Sequence, residues 1–228
     1  MKPFYQDDLV TIYHGRWQEF GPLWVGALGG VGVIVTDPPY GTGGWRRDGA
    51  GQGSDPKASL VREAWDDGAV EWLDGAVPVI TFWPAARTWQ LLSRANDVGL
   101  VKHRAVYWHK PDPKPQVGGR TRWSIEPVWV LSHDGFLIYG DTDLYRESAI
   151  RKGRDEATGH AYQKPESVMR WLVGKTRTGT VLDPFMGSGS TLVAAKSLGR
   201  RAIGIEIEER YCEIAAQRCS QEVLGLAG

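Results

Sequence analysis

The sequence is poor in cysteine, in long apolar runs and in excess charge of either sign. Its two cysteines, Cys212 and Cys219, lie in one predicted helix, where a rise of about 1.5 Å per residue separates their Cα atoms by roughly 10 Å and excludes a disulfide. No apolar run approaches the roughly 18 residues of a membrane-spanning helix, and the N-terminal stretch MKPFYQDDLV forms no apolar signal region. We therefore expect a reduced, cytoplasmic protein without a membrane segment.

The charged residues balance, with 27 Lys and Arg against 27 Asp and Glu in 228 residues. This balance excludes a chain that coats nucleic acid through bulk charge, but it allows a local basic face. Such a face is indicated at residues 102–122, which hold one acid, Asp112, and these basic residues: Lys102, Arg104, Lys110, Lys114, Arg120 and Arg122. A solvated surface without a ligand explains the same cluster equally well.

Short strand-like runs alternate with helical patterns, which predicts a single α/β domain over residues 1–228. Strands are predicted at residues 9–15, 32–36, 77–83, 103–109, 127–132, 180–185 and 202–207. Helices are predicted at residues 83–96, 165–175, 190–198 and 209–223. Pro165 at the first helical position and Glu166 in the first turn favour the start of the second helix.

The stretch TVLDPFMGSGST, residues 180–191, reads as a strand, a tight turn and a helix. Gly187 and Gly189 allow the backbone to turn sharply and to approach a ligand closely. Asp183 ends the strand at the carboxyl edge of the sheet, where open α/β sheets bind ligands. Glu206 ends the next strand, and an acid at this spacing can accept both hydroxyls of a ribose. A tight turn without a ligand would explain the glycines alone, but it leaves Glu206 without a role.

Two absences in the glycine loop narrow the choice of cofactor. Leu192 stands where the dinucleotide pattern has its third glycine, and the loop has no lysine of the kind that P-loops place on phosphates. Asp183 would repel a pyrophosphate and attract an amino group. These features predict a cofactor that carries a ribose and a positive charge but no phosphate, which S-adenosylmethionine fits.

Four segments of the chain resemble segments of the DNA amino-methyltransferases. DPPY at residues 37–40 resembles their catalytic motif, and LDPFMGSGST at 182–191 resembles their cofactor loop. HAYQKPESVMRWLV at 160–173 resembles the segment before that loop, and GRRAIGIEIEERYCEIAAQR at 199–218 the segment after it. Because the catalytic motif comes first and the cofactor loop last, the order is similar to that of the permuted β group.

The resemblance implies a Rossmann-like methyltransferase fold, with a seven-stranded, mostly parallel sheet, one antiparallel strand and helices on both faces. It implies a catalytic role for Asp37, Pro38, Pro39 and Tyr40, and no metal ligands. It implies S-adenosylmethionine contacts for Lys164, Pro165, Asp183, Phe185, Gly187, Ser188, Gly189 and Glu206. The chain departs from the family pattern at Ala161 and Tyr162, and at Arg16, where many members have an acid; the last departure leaves open how the cofactor's adenine is held there.

The DPPY motif suits methyl transfer to the exocyclic amine of a base, whose lone pair is delocalised into the ring. Two acceptors facing the two N–H groups draw the nitrogen towards tetrahedral geometry, and the Asp37 carboxylate and the Pro38 carbonyl can supply them. The two prolines carry no N–H and stiffen the backbone. Tyr40 can stack on a base that has been flipped out of the duplex. Taken alone, the motif is also compatible with a Pro-Pro turn after a strand.

The expected function is site-specific methylation of double-stranded DNA at adenine N6. Asp at the first motif position resembles the adenine enzymes more, and Ser there resembles the cytosine-N4 enzymes more, so cytosine N4 is the alternative. A nicotinamide-dependent oxidoreductase and a non-catalytic nucleic-acid-binding module are the alternatives from other classes.

The expected partners follow from this function. DNA is the substrate, residues 111–160 form a minimal DNA-recognition region, and residues 41–58 form a mobile loop that either contacts DNA or is a plain surface loop. Because the recognition region is short, a homodimer is expected. The expected source is a bacterium or a phage, and the sequence leaves open whether the protein has a partner restriction nuclease.

Overall fold

The computed structural model describes residues 2–20, 28–39, 70–111, 124–133, 138–140, 142–148, 163–176 and 179–221. Within these residues the chain forms one sheet of nine strands. In chain order they are β1 (Tyr5–Gln6), β2 (Val10–His14), β3 (Val31–Thr36), β4 (Val79–Phe82), β5 (Lys102–His109), β6 (Ile125–Ser132), β7 (Leu144–Arg146), β8 (Thr180–Asp183) and β9 (Ala202–Glu206).

The strand order is β1-β2-β9-β8-β3-β4-β6-β5-β7. Strand β6 is antiparallel to both of its neighbours, and β1 is antiparallel to β2, whereas the remaining neighbours are parallel. The seven strands from β2 to β5 in this order, with β6 reversed, confirm the predicted mostly parallel α/β sheet.

Seven strands were predicted, but the described residues form nine, because two short strands, β1 and β7, are added at the edges of the sheet. Strand β1 has two residues and pairs Tyr5 with Ile12, and β7 has three residues and pairs Leu144 with Tyr107. Neither segment is long enough to show an apolar alternation, so both are defined by their hydrogen bonds to the neighbouring strand rather than by a pattern of their own.

Four α-helices accompany the sheet in the described residues: α1 (Thr88–Asp97), α2 (Glu166–Gly174), α3 (Ser190–Ser197) and α4 (Glu209–Ser220). Short 3-10 helices lie at Trp17–Phe20 and Ala85–Arg87. The first predicted helix was expected to start at Trp83, but Pro84 is extended, and regular α-helix begins at Thr88. The other three helices begin within one residue of their predicted starts.

The helices lie on both faces of the sheet, as predicted, because successive strand residues point to opposite faces. Val33 and Val35 of β3 face one core and Ile34 faces the other. The first core holds α2, α3 and α4 through Val168, Met169, Leu172, Leu192, Ala195, Cys212, Ala215 and Cys219. The second core holds α1 through Leu91 and Ala95, which pack with Trp72 and Leu73.

The two cysteines are free and buried in the first core, which agrees with the exclusion of a disulfide. Burial raises the pKa of each thiol to about 12, so both behave as small apolar side chains. No helix in the part of the chain that the structure describes is long and apolar enough to cross a membrane.

Candidate active site

The carboxyl ends of neighbouring parallel strands bring the DPPY motif beside the glycine loop. Strand β8 lies between β3 and β9, so Thr36, Asp183 and Glu206 end three adjacent strands at one edge of the sheet. Thr36 donates a hydrogen bond from Oγ1 to Asp183 Oδ1 over 2.6 Å. This bond joins the residue before Asp37 to the acid that begins the glycine loop, 147 positions later in the chain.

Asp183 is buried and held by three described donors. Besides Thr36, the Phe185 amide donates to Oδ1 over 3.1 Å, and the Thr191 hydroxyl donates to Oδ2. Burial raises the pKa of Asp183 to about 6 against the lowering effect of these hydrogen bonds. A carboxylate accepts about four hydrogen bonds, so one acceptor position remains for a ligand.

The glycine loop turns in a conformation that larger residues disfavour. Gly187 and Gly189 have φ angles of 51° and 80°, in the left-handed region. A Cβ atom at Gly189 would lie 2.8 Å from the Ala215 Cβ of α4. Gly189 therefore serves both the turn and the close packing of α3 against α4, and its neighbour Ser188 is buried in the same loop.

Glu206 is bound to the glycine loop through backbone amides. Gly187 donates its N–H to Glu206 Oε2 over 2.9 Å, and Glu208 donates its N–H to Oε1 over 2.9 Å. Burial raises the pKa of Glu206, although these amide hydrogen bonds oppose the shift. The Ile207 amide also donates to this carboxylate. Three of its roughly four acceptor positions are therefore used, so the side chain is preorganised and one position is left for a ligand hydroxyl.

The segment Gln163–Lys164–Pro165 connects the two halves of the site. Ser188 donates its hydroxyl to Gln163 Oε1 over 3.0 Å, which ties the segment to the glycine loop. Lys164 donates from Nζ to Asp37 Oδ2 over 2.7 Å, which ties it to the DPPY motif. Pro165 is the N-cap of α2 and is buried. Lys164, predicted as a cofactor contact, therefore lies on the predicted catalytic acid.

Lys164 also reaches a second acid, Glu126, at the start of β6. The distance from Lys164 Nζ to Glu126 Oε1 is 3.2 Å, and Lys110 Nζ lies 2.9 Å from Glu126 Oε2. Burial alone would lower the pKa of Lys164, but the charges of Asp37 and Glu126 outweigh it and raise the pKa to about 12. Burial alone would raise the pKa of Glu126. The charges of Lys164 and Lys110 outweigh burial, and the pKa of Glu126 is lowered.

The remaining predicted site residues are placed as follows. Pro38 is buried and Pro39 is half-buried directly after Asp37. Phe185 makes an edge-to-face contact with the buried Trp72, with ring centroids 5.8 Å apart. Tyr40, the predicted loop at 41–58, Ala161 and Tyr162 lie outside the described residues, as does most of the predicted recognition region at 111–160, of which the structure describes β6 and β7.

Sequence reasoning missed Thr36, Thr191, Gln163, Glu126 and the link from Lys164 to Asp37. Thr36 precedes a predicted motif, and Thr191 and Gln163 lie inside quoted motif segments, so their hydroxyl and amide groups could have been taken as hydrogen-bond partners within the site. Glu126 gave no such signal, because a single acid at the start of a strand is usually a solvated residue.

The fold and this edge of the sheet define an α/β methyltransferase. The family model described as DNA methylase, for N6 and N4 methyl transfer, matches residues 31–217, and the chain belongs to this family. It is a DNA methyltransferase that acts on exocyclic amines, with S-adenosylmethionine as its cofactor. This membership decides against the oxidoreductase and the non-catalytic binding module.

Curated relatives include restriction-modification enzymes. The chain is 37% identical over 274 aligned positions to the type II methyltransferase M.ScaI of Streptomyces caespitosus, covering 99% of this chain and 86% of the relative. It is 29% identical over 255 aligned positions to the type II methyltransferase M2.DpnII of Streptococcus pneumoniae, covering 97% and 93%.

Solved structures share the fold at lower identity. The M1.HpyAVI–SAM complex superposes with a TM-score of 0.68 at 22% identity, covering 93% of this chain and 100% of that one. The PvuII DNA methyltransferase, described as cytosine-N4-specific, gives a TM-score of 0.66 at 18% identity, covering 98% and 91%.

The residues at the edge of the sheet fit S-adenosylmethionine chemically. Burial raises the pKa of Asp183 and of Glu206, which disfavours their ionised forms. A positively charged ligand nearby would stabilise the ionised carboxylates. In the loop between them, Gly187 and Gly189 carry no side chain and allow a ligand to approach the backbone closely. A ribose and an ammonium group match these acceptors, and a pyrophosphate does not.

Proposed function

We propose that this protein methylates adenine N6 at specific sites in double-stranded DNA, with Asp37 as the acceptor for the target amine. The observation that carries the proposal is the position of Asp37, which is held by Lys164 at 2.7 Å and follows the strand that lies beside the glycine loop. An acceptor for the amine and a cofactor loop therefore share one edge of the sheet. Asp at this motif position supports adenine, since Ser resembles the cytosine-N4 enzymes more.

The proposed mechanism assigns each step to residues of this chain. The Asp37 carboxylate and the Pro38 carbonyl accept the two N–H groups of the flipped base and expose the nitrogen lone pair. Bound S-adenosylmethionine supplies the methyl group. Pro38 and Pro39 fix the backbone that carries these acceptors, and Tyr40 stacks on the base. Asp183, Glu206 and the loop residues Phe185, Gly187, Ser188 and Gly189 hold the cofactor, with Gln163–Lys164–Pro165 closing the site.

The target base is tested by incubating the protein with duplex DNA of mixed sequence and S-adenosylmethionine labelled in its methyl group. Digestion to nucleosides and mass spectrometry are expected to find the label in N6-methyladenine. Label in N4-methylcytosine would replace adenine by cytosine, and label in neither would contradict the proposed function. The same DNA in single-stranded form tests the strand preference, and sequencing of the modified product gives the target site.

A pH-dependent cofactor affinity is expected from Asp183, whose pKa is about 6. The carboxylate must be ionised to attract the ammonium group of the cofactor, and about one tenth of it is ionised one pH unit below its pKa. The dissociation constant of the cofactor, measured by calorimetry, should therefore be roughly tenfold larger at about pH 5 than at about pH 7.5.

The variant Asp183→Asn provides the control, because it should bind weakly and lose the part of the pH dependence that Asp183 causes, while Glu206, whose pKa burial also raises, remains. The free energy of unfolding should depend on pH in the opposite direction: the contribution of Asp183 to stability falls as the pH rises, whereas the cofactor affinity increases. The folded pKa of about 6 exceeds the ordinary value of 3.8, so the folded protein binds more protons between them. The contribution of Asp183 to stability is full below the lower value and is lost as the pH rises through the higher one. A cofactor affinity that is as pH-dependent in the variant as in the parent would exclude Asp183 as the source.

The wider assignments belong to the same proposal. We place this bacterial or phage-encoded chain in the cytoplasm, as a single domain over 1–228 in which about 111–160 contacts DNA and 41–58 is a candidate DNA-contacting loop. A homodimer would supply DNA-binding surface that a short recognition region lacks, and sedimentation with and without DNA tests it. A partner restriction nuclease is supported by the type II relatives.

A further inference from the structure

We propose that Glu126 and Lys164 are positioning residues that set the hydrogen-bonding strength and orientation of Asp37. The proposal rests on the assignment of Asp37 as the acceptor for the amine. It concerns a row of four alternating charges that no sequence motif predicted, Asp37–Lys164–Glu126–Lys110, which we call the charge row.

The geometry of the charge row makes Lys164 a bridge between two acids. Its Nζ lies 2.7 Å from Asp37 Oδ2 and 3.2 Å from Glu126 Oε1. The Lys164 side chain is 15% exposed, and its ammonium group lies 4.6 Å from the centroid of the buried Phe82 ring. An ammonium group so enclosed is oriented by its protein partners, because little water competes for its three donors.

The second acid changes what Lys164 does to the first. If Asp37 were the sole acid near the ammonium group, the full charge of Lys164 would act on Asp37 Oδ2. This strong ion pair would weaken the carboxylate as a hydrogen-bond acceptor for a base amine. Glu126 Oε1 lies 3.2 Å from the same ammonium group and shares its charge. Asp37 is then held in orientation through Oδ2 without being fully neutralised, which suits an acceptor that must act on a neutral N–H group.

The far end of the charge row fixes Glu126 itself. Lys110 Nζ lies 2.9 Å from Glu126 Oε2 and 5.0 Å from the centroid of the Trp108 ring. Each carboxylate oxygen of Glu126 therefore forms an ion pair with a different lysine, and the two lysines together fix the orientation of the carboxylate. The four charges sum to zero, so the row can persist in a largely buried place without a net charge to solvate.

The test is a double-mutant cycle on methyl transfer with Glu126→Gln, Lys164→Met and the double variant. Glu126→Gln alone should lower kcat about tenfold and leave the cofactor dissociation constant within about twofold, because the ammonium group then concentrates on Asp37. In the Lys164→Met background this loss of kcat should disappear or change sign. There Glu126 is an extra buried negative charge near Asp37, so Glu126→Gln should leave kcat unchanged or raise it.

The matched control is Glu213→Gln on the exposed surface of α4, which makes the same change of side chain and should leave kcat unchanged. If Lys164→Met does not fold, Lys164→Gln gives a second cation-free background. An equal loss of kcat from Glu126→Gln in both backgrounds would overturn the proposal, because it would mean that Glu126 acts by packing. A parallel loss of cofactor affinity would overturn it as well.

The cycle remains decisive if the proposed function fails. If the wild-type protein methylates cytosine instead of adenine, the same double-mutant cycle is measured on the kcat of cytosine methylation, with the same expected results. A wild-type protein that transfers no methyl group to DNA refutes the proposed function, and the charge row is then judged on urea midpoints of the same variants. Glu126→Gln should lower the midpoint in the wild type and raise it in the Lys164→Met background; a lowering in both would overturn the charge row.

Discussion

Replacing Asp37 with alanine is expected to abolish measurable methyl transfer, with kcat lowered by about 1,000-fold or more, while the cofactor dissociation constant stays within a few-fold. The carboxylate is the proposed side-chain acceptor for the amine, and we assign no second described side chain to that role. Lys164 keeps Glu126 as an ionic partner at 3.2 Å, so the surrounding structure should persist. Steady-state methylation of duplex DNA measures the first effect, and calorimetry with S-adenosylmethionine measures the second.

The control for this variant is Asp97→Ala, which removes an exposed acid at the end of α1 and should leave both quantities unchanged. Near-normal turnover by Asp37→Ala would show that another group faces the amine. A loss of cofactor affinity as large as the loss of kcat would instead place Asp37 in the cofactor site.

Replacing Glu206 with alanine is expected to weaken S-adenosylmethionine binding by about 10- to 100-fold, the range for loss of one or two hydrogen bonds to a charged group. The substitution removes the acceptor proposed for the ribose and frees the amides of Gly187 and Glu208, which now hold the loop in shape. At saturating cofactor, kcat should change much less, because the proposed acceptor Asp37 is held by Lys164 at 2.7 Å and not by Glu206. Calorimetry and kinetics at increasing cofactor concentration separate the two effects.

Glu209→Ala is the matched control, since Glu209 is an exposed acid three positions later in the first turn of α4. An unchanged cofactor affinity in Glu206→Ala would count against the ribose role and leave Glu206 as a purely structural acceptor for the glycine loop. Equal weakening in both variants would point to damage at the start of α4.

Much of the fold could be predicted from the chain because its central strands carry their own signal. Residues 32–36 and 180–183 are short apolar runs that stop at an acid, and the observed strands β3 and β8 cover them. The glycine loop was also predictable, because positive φ angles at Gly187 and Gly189 are a local property of residue type. By contrast, β1 and β7 have two and three residues, and only their pairing with β2 and β5 makes them strands.

The candidate site divides along the same line. Asp37, Asp183 and Glu206 were predictable because each follows an apolar strand, and parallel strands end at one edge. The bonds between these elements were not. Thr36 and Asp183 are 147 positions apart in the chain, and Lys164 and Asp37 are 127 apart. No local pattern encodes such a pair, since it depends on which strands become neighbours and on the register between them.

The sequence by itself determined the class of chemistry, through residue types that local backbone geometry places at strand ends and turns. It predicted the acid and prolines of the proposed catalytic motif, the glycine loop, and Glu206 as the second acid proposed for the cofactor. Only the tertiary structure decided that Lys164 lies between Asp37 and Glu126, because the charges that set the strength of Asp37 come from three separate parts of the chain. The interaction between two charges depends on their distance and on the water that the fold excludes, and both are properties of the packed molecule.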